Sequence, residues 1–123
     1  MTDIPEIDVH ELAGRLQGGE SFVLLDVREA WELDYALIDD IRLKVVPMSR
    51  LAQLGEEALP EEIRQKDVEI LVLCHHGVRS AKAAQWLLAG GWKNVHSVRG
   101  GIADYANQID ASIGKYLKTL GQL

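Results

Sequence analysis

The single cysteine of this 123-residue chain, Cys74, stands where a short apolar run ends and the chain must turn. The run, residues 70–73, has the length and composition of a buried parallel strand, and the alanine-rich residues 80–90 predict a helix after the turn. Ligands of open α/β sheets bind beyond the carboxyl ends of the strands. A tight strand-to-helix turn points successive backbone N–H groups into one hollow, which holds an anion and favours a thiolate. Cys74 is therefore a candidate nucleophile.

The neighbours of Cys74 add to this interpretation. A lone cysteine in an intracellular protein is more often buried filler, but Gly77 permits a backbone conformation that a Cβ would resist, and Arg79 adds a permanent cation. We expect His75 and His76 to line or leave the mouth of the loop and to have modest effects on substrate approach. Adjacent histidines cannot easily share a metal ion with Cys74, and the chain has no second cysteine, so we expect no zinc site.

Four segments resemble one family in their order and spacing. Residues 74–80, Cys-His-His-Gly-Val-Arg-Ser, resemble the active-site loop of rhodanese-like sulfurtransferases, Cys-x-x-Gly-x-Arg-Ser between a buried strand and a helix. Leu-Leu-Asp-Val-Arg-Glu at 24–29 resembles the end of the family's first long strand. Gly-Trp-Lys-Asn-Val at 91–95 and Arg-Gly-Gly-Ile at 99–102 resemble the entry to its last strand and its closing Gly-Gly motif. The resemblance covers about residues 7–105 and implies an α/β fold, an open parallel sheet with helices on both faces.

One stretch departs from the family pattern. The usual Gly-His-Ile-Pro-Gly-Ala is absent, and residues 36–42 read Ala-Leu-Ile-Asp-Asp-Ile-Arg instead. We therefore expect a remodelled loop there, preceded by a short helix at 29–35 and followed by a strand near 43–46. The spacing of Asp8 and Glu11 predicts the start of a first helix, because it matches a capping box.

The length of the chain suits one domain, residues 1–123, with one family core. Beyond that core, apolar residues at helical spacing predict a C-terminal helix over 109–120: Ile109, Ile113, Tyr116, Leu117 and Leu120. No apolar run reaches membrane-spanning length, and residues 1–14 lack the layout of a signal peptide, so we expect a cytoplasmic protein. The net charge of −6 argues against nucleic acid or an anionic membrane as a partner.

The acidic residues are unevenly distributed. None of the 19 lies between residues 70 and 103, although that stretch holds four lysines and arginines and the candidate nucleophile. Buried strands and an alanine-rich helix leave little room for acids, which accounts for part of the gap. We favour the alternative that the stretch forms an anion-attracting site, because the cations were retained.

Asp26 and Arg28 close the apolar strand at 22–27. They could form a catalytic pair near the candidate site. We favour a structural role, in which the two side chains pair and fix the strand end to neighbouring loops, because buried charges are usually paired.

The resemblance implies a sulfurtransferase that works through a covalent persulfide on Cys74. The thiolate attacks the outer sulfur of a small anionic donor such as thiosulfate, sulfite leaves, and Arg79 and the loop N–H groups stabilise the anions. Cyanide in an assay, or a protein thiol in a cell, then accepts the sulfur. The resemblance implies no metal and no organic cofactor, and it assigns substrate binding to the rest of the loop: His75, His76, Gly77, Val78 and Ser80.

Two alternatives stay open. Cysteine-dependent phosphatases of the same fold also use a cysteine, a backbone hollow and an arginine, but with five residues between the two. Here four residues separate Cys74 from Arg79, which predicts a smaller hollow, better sized to sulfur than to phosphate. The second alternative is a non-catalytic rhodanese-like binding module, against which the presence of both residues argues.

Overall fold

A computed structural model describes residues 3–116. Its five strands form one parallel sheet in the order β1-β5-β4-β2-β3. The strands are β1 (Glu6–Ile7), β2 (Val23–Asp26), β3 (Leu43–Val45), β4 (Ile70–Leu73) and β5 (Val95–Val98). Because β4 lies between β5 and β2, its carboxyl end opens at the middle of the sheet edge, where loops from both sides can reach it.

Helices cover both faces of this sheet. Along the described residues they are α1 (Val9–Gln17), α2 (Met48–Leu54), α3 (Glu61–Arg64), α4 (Val78–Ala89) and α5 (Gly101–Gln108), with 3₁₀ turns at Ala30–Asp34, Gly55–Ala58 and Ala111–Ile113. Helices α2, α3 and α4 pack on one face, and α1 and α5 pack on the other. None of the helices within residues 3–116 is long and apolar enough to cross a membrane.

Strand β4 shows why the sheet needs a continuous apolar run. Ile70 and Val72 contribute to the core under α4, and the alternate residues Leu71 and Leu73 contribute to the core under α1 and α5. All four side chains are fully buried, because a parallel sheet that is covered on both faces exposes neither set. The predicted fold class, an α/β open parallel sheet with helices on both faces, is confirmed.

The predictions that depend on residues close together in the chain agree with the structure. The Asp8 carboxylate accepts the Glu11 backbone N–H at 2.8 Å and begins α1. The predicted strand near 43–46 is β3, and the predicted short helix at 29–35 is the 3₁₀ turn Ala30–Asp34. Residues 36–42 form a connection without a helix. The two-residue strand β1 was not predicted.

The predicted C-terminal helix over 109–120 is wrong over its described part. Residues 111–113 form only a 3₁₀ turn, and Gly114, at a φ of +105°, turns the chain in a conformation that no α-helix contains. The core beside α5 is still contacted by Ile109, Ile113 and Tyr116. The spacing of these apolar residues therefore reflects burial rather than a helix. Leu117 and Leu120 lie outside the described residues.

Candidate active site

Cys74 follows β4 directly, and its residue is only 1% exposed. Its Sγ accepts the backbone N–H of Gly77 at 3.1 Å and that of Ser80 at 3.3 Å. The hydroxyl of Ser80 lies at 3.3 Å from the same sulfur. Two backbone N–H groups and one hydroxyl at the start of α4 therefore surround the sulfur.

The loop takes this shape because two backbones meet closely. Gly77 caps α4 with a φ of +97°, and a Cβ there would lie 3.0 Å from the backbone nitrogen of Gly100. At Gly101, whose φ is +62°, a Cβ would lie 2.5 Å from the carbonyl oxygen of Cys74. The Gly-Gly pair thus lets α5 begin against the cysteine loop. The first N–H groups of α5 bond to this loop, Ile102 to the Cys74 carbonyl at 2.9 Å and Ala103 to the His75 carbonyl at 3.0 Å.

A buried serine extends the sulfur's contacts into β5. The hydroxyls of Ser80 and Ser97 lie 2.8 Å apart, and both residues are fully buried. Sequence reasoning missed Ser97. The available signal was a small polar residue within an otherwise buried strand, since a buried hydroxyl needs a partner.

Arg79 has a carboxylate partner that was also missed. Its Nη1 and Nη2 donate to Oε2 and Oε1 of Glu32 at 2.6 and 2.7 Å. The Glu32 side chain is 2% exposed, whereas that of Arg79 is 31% exposed. The hydrogen bonds that Arg79 donates to the Glu32 carboxylate, added to the charge of that carboxylate, raise the pKa of the Arg79 guanidinium well above its usual range. Nearby Cys74 contributes to the same rise.

Burial alone would raise the pKa of Glu32. Hydrogen bonds from Arg79, from the Glu29 backbone N–H at 2.9 Å and from Tyr116 outweigh it and hold the pKa at about 2. The carboxylate is therefore charged throughout the physiological pH range. One of the four cations in the predicted anion-attracting stretch, Arg79, is thus neutralised by a carboxylate from the 3₁₀ turn Ala30–Asp34. Arg99 also lies within 4 Å of acids, with Nη1 3.8 Å from Glu6 and Nη2 3.9 Å from Asp8.

Asp26 and Arg28 form a second, fully buried ion pair at the end of β2. Arg28 Nη2 donates to Asp26 Oδ2 at 2.7 Å, and both side chains are 0% exposed. Burial would lower the pKa of Arg28, but the Asp26 carboxylate outweighs it and raises the pKa. Arg28 Nη1 also donates to the carbonyl of Ala36 at 2.9 Å, which holds the remodelled loop. This arrangement supports the structural role that the sequence favoured for the pair.

The two histidines lie on the side of the loop that faces the C-terminal segment. The His75 ring is buried and stacks on the Tyr116 ring with centroids 3.6 Å apart, and the exposed His76 ring lies 3.7 Å from that of His75. A cavity of about 260 Å³ adjoins both histidines and is bordered by α5 and residues 114–116. Sequence reasoning placed the histidines at the loop mouth but missed Tyr116 as their neighbour.

The predicted site residues divide into three groups. Cys74, Gly77 and Ser80 meet at the sulfur, and Arg79 turns to Glu32 beside them. Val78 stands at the rim with 64% of its surface exposed. The two histidines and the Asp26–Arg28 pair lie around this centre. Within residues 3–116 no three or more His, Cys, Asp and Glu side chains are grouped as metal ligands.

Comparisons with known proteins place this geometry in a family. Rhodanese-like/PpiC domain-containing protein 12, chloroplastic, of Arabidopsis thaliana is 32% identical over 116 residues, which is 92% of this chain and 38% of the relative. The tRNA uridine(34) hydroxylase of Xanthomonas campestris pv. campestris is 32% identical over 91 residues, 74% of this chain and 35% of the relative. The adenylyltransferase and sulfurtransferase UBA4 of Candida albicans is 33% identical over 103 residues, 82% and 23%. The chain thus spans well under half the length of these curated relatives.

Similarity to solved structures extends over most of the chain. A rhodanese-related protein from Thermoplasma volcanium is 28% identical, with a TM-score of 0.68, and the match covers 85% of this chain and 93% of that one. The model of the rhodanese-like domain matches residues 8–108. The chain therefore belongs to the rhodanese-like domain family.

Proposed function

We propose that the protein is a sulfurtransferase that carries sulfane sulfur as a persulfide on Cys74, with thiosulfate or a comparable persulfide donor as its sulfur source. The observation that carries the proposal is the position of Sγ, which accepts two backbone N–H groups at the beginning of α4 and lies beside the Ser80 hydroxyl. The name of the Candida albicans relative, which includes a sulfurtransferase, gives independent support.

In the first step the Cys74 thiolate attacks the outer sulfur of thiosulfate. The thiolate electron pair forms the new S–S bond, and the electron pair of the donor's S–S bond leaves on sulfite. The enzyme then holds a persulfide anion, whose terminal sulfur replaces the thiolate as the charged atom. Loop N–H groups that already donate to Sγ are suited to this negative charge, because they are fixed before the reaction.

In the second step a nucleophilic acceptor attacks the terminal sulfur. Cyanide in an assay, or the thiolate of an acceptor protein, takes that sulfur, and the electron pair of the broken S–S bond returns to Cys74. The cycle is closed without an external oxidant or reductant, since each half-reaction breaks one S–S bond and forms one new S–S or S–C bond. Covalent storage of the sulfur separates one transfer into two easier steps.

The remaining loop residues have supporting roles in this proposal. Arg79 donates two N–H groups to Glu32, and its other three can bind the sulfonate oxygens of the donor or the departing sulfite. Ser80 holds the sulfur, Gly77 shapes the hollow, and Val78, His75 and His76 border the approach.

The phosphatase alternative is disfavoured by the loop. Only four residues lie between Cys74 and Arg79, and Arg79 is bound by Glu32 rather than directed across an open hollow. A phosphate needs N–H donors for three oxygens, whereas two backbone N–H groups here converge on the sulfur itself. The binding-module alternative is tested by the same assays.

The test is intact-mass analysis after treatment with thiosulfate. Wild-type protein should gain one sulfur atom and lose it on addition of cyanide, with thiocyanate as the product. Cys74→Ser should neither gain nor transfer sulfur, and Ser112→Ala, which removes an exposed hydroxyl that donates to Asp110, should behave as wild type. Cys74-dependent hydrolysis of an aryl phosphate without thiosulfate activity would assign the protein to the phosphatases. No activity in either assay would leave a binding module.

A further inference from the structure

The C-terminal segment folds back beside the candidate active site. After the turn at Ala111–Ile113, the Ile113 carbonyl accepts the Leu37 N–H at 3.1 Å, and Gly114 forms an antiparallel bridge with Ala36. Tyr116 follows, outside residues 8–108 that match the family. Its position therefore does not come from the family pattern.

The hydroxyl of Tyr116 joins the two ion pairs near the loop. It accepts a hydrogen bond from Arg28 Nη1 at 3.1 Å and donates one to Glu32 Oε1 at 3.0 Å. The same Oε1 accepts Arg79 Nη2 at 2.7 Å. The Tyr116 hydroxyl thus bonds to the same carboxylate oxygen as Arg79, and it links that oxygen to the fully buried Asp26–Arg28 pair.

The ring of Tyr116 makes a second set of contacts. It stacks on His75 with centroids 3.6 Å apart and an interplanar angle of 21°, and on Tyr35 with centroids 5.5 Å apart and an angle of 22°. His75 directly follows the nucleophile. The tyrosine therefore contacts both ends of the loop, the histidine beside Cys74 through its ring and Arg79 through Glu32.

We propose that Tyr116 is a positioning residue of the sulfur-transfer site, whose hydroxyl holds the Glu32 carboxylate so that Arg79 stays in place for the donor. The inference rests on the proposed function only for its kinetic part. Without the hydroxyl, the Glu32 carboxylate keeps the Glu29 N–H and both contacts with Arg79 but loses its link to the buried Arg28, which then holds Glu32 only through its backbone carbonyl. The ion pair can then move as a unit, which displaces Arg79 without removing it.

The matched variants are Tyr116→Phe and Tyr35→Phe. Both remove one hydroxyl from the same ring stack, and within residues 3–116 the Tyr35 hydroxyl has no hydrogen-bond partner. Tyr116→Phe should lower kcat for thiosulfate about three- to ten-fold with KM changed by less than about two-fold, since the arginine still meets the donor but is poorly placed for the departing charge. Tyr35→Phe should leave both constants unchanged.

Coupling distinguishes positioning from a general loss of packing. In a Glu32→Gln background, Tyr116→Phe should slow the reaction by less than about two-fold further, because its effect passes through the carboxylate. Equal kcat for Tyr116→Phe and wild type, or multiplicative effects of the two changes, would overturn the proposal.

A readout without sulfur transfer separates this inference from the proposed function. The groups facing the Glu32 carboxylate are the Arg79 guanidinium, the Glu29 N–H and the Tyr116 hydroxyl, and Arg28 donates to the Glu32 backbone carbonyl at 3.3 Å. Carboxyl carbon NMR should show a higher pKa for Glu32 in Tyr116→Phe, and no change in Tyr35→Phe. That shift in a protein without thiosulfate activity would retain the positioning role and reject the proposed function. An unshifted Glu32 would reject the positioning role whatever the activity.

Discussion

Glu32 and Arg79 form a two-point ion pair, with N–O distances of 2.6 and 2.7 Å, although they are 47 residues apart in the chain. The carboxylate lies in the interior and the guanidinium reaches the surface beside Cys74. Arg79 is thus a fixed hydrogen-bond donor whose charge is already compensated. Its contribution to the site depends on where it is held as much as on its charge.

Arg79→Ala should slow thiosulfate turnover about ten- to a hundred-fold, because a charge-assisted hydrogen bond to the donor is lost. It should also lower the free energy of unfolding by about 3 kcal/mol, since a buried carboxylate loses its partner. The double variant Arg79→Ala with Glu32→Gln separates these effects: stability should largely return, but turnover should not. Urea denaturation and steady-state kinetics on the two variants measure both. Recovery of turnover in the double variant would exclude Arg79 from the chemistry.

Acid should weaken the fold through Glu32. Its pKa is about 2 in the folded protein and about 4.5 in an unfolded chain, so the unfolded state binds the proton first as the pH falls. This contribution, about 3 kcal/mol, is complete above pH 4.5 and is lost as the pH falls through 2. The free energy of unfolding, measured by denaturation and plotted against pH across this range, should therefore fall more steeply for wild type than for Glu32→Gln as the pH is lowered. Parallel curves would show that the carboxylate is not held as described.

The Ser80 hydroxyl should contribute to catalysis rather than to folding alone. Ser80→Ala keeps the backbone N–H to Sγ but removes the hydroxyl at 3.3 Å, which should slow sulfur transfer about five- to thirty-fold, or ~1–2 kcal/mol. Ser97→Ala is the matched control, because it removes the next hydroxyl and leaves that of Ser80 in place. A larger kinetic loss in Ser97→Ala than in Ser80→Ala would contradict the assignment.

Gly101→Ala should disrupt the junction between α5 and the cysteine loop. A Cβ there would lie 2.5 Å from the Cys74 carbonyl oxygen, and the φ of +62° adds strain, so we expect a loss of about 3 kcal/mol or more in the free energy of unfolding. Gly14→Ala, in α1 with no atom within 4 Å of the new Cβ, should stabilise the protein by up to ~1 kcal/mol. Urea denaturation of both variants is the measurement. A Gly101→Ala protein as stable as wild type would show that the close approach is not required.

Features with a local cause were predictable from the sequence. The apolar run 70–73 predicts a strand that is buried on both faces, and the Asp8 cap needs only a partner three residues away. The position of Cys74 at the end of a strand follows from the two segments that flank it. The Gly-Gly pair at 100–101 was recognised as similar to the family's closing motif. That the pair also lets α5 begin close to the carbonyls of Cys74 and His75 could be seen only in the folded structure.

Glu32 and Tyr116 could not be found in this way. Glu32 bonds to Arg79, 47 residues away, and Tyr116 bonds to Glu32 and Arg28, 84 and 88 residues away. Contacts over such separations leave no regular spacing in the sequence. The apolar residues at 109–116 have helical spacing, but Gly114 and the bridge to Ala36 compete successfully with a helix. Ser97 was detectable in principle, because a hydroxyl in a buried strand demands a partner.

The two ion pairs joined by Tyr116 contain equal numbers of positive and negative groups. Opposite charges a few ångströms apart cancel at a distance, so this cluster projects only a short-ranged potential into the solvent. Turnover of an anionic donor should consequently depend little on ionic strength. Selection among sulfur donors then rests on contact inside the loop, where direction and distance decide, rather than on attraction from bulk solution.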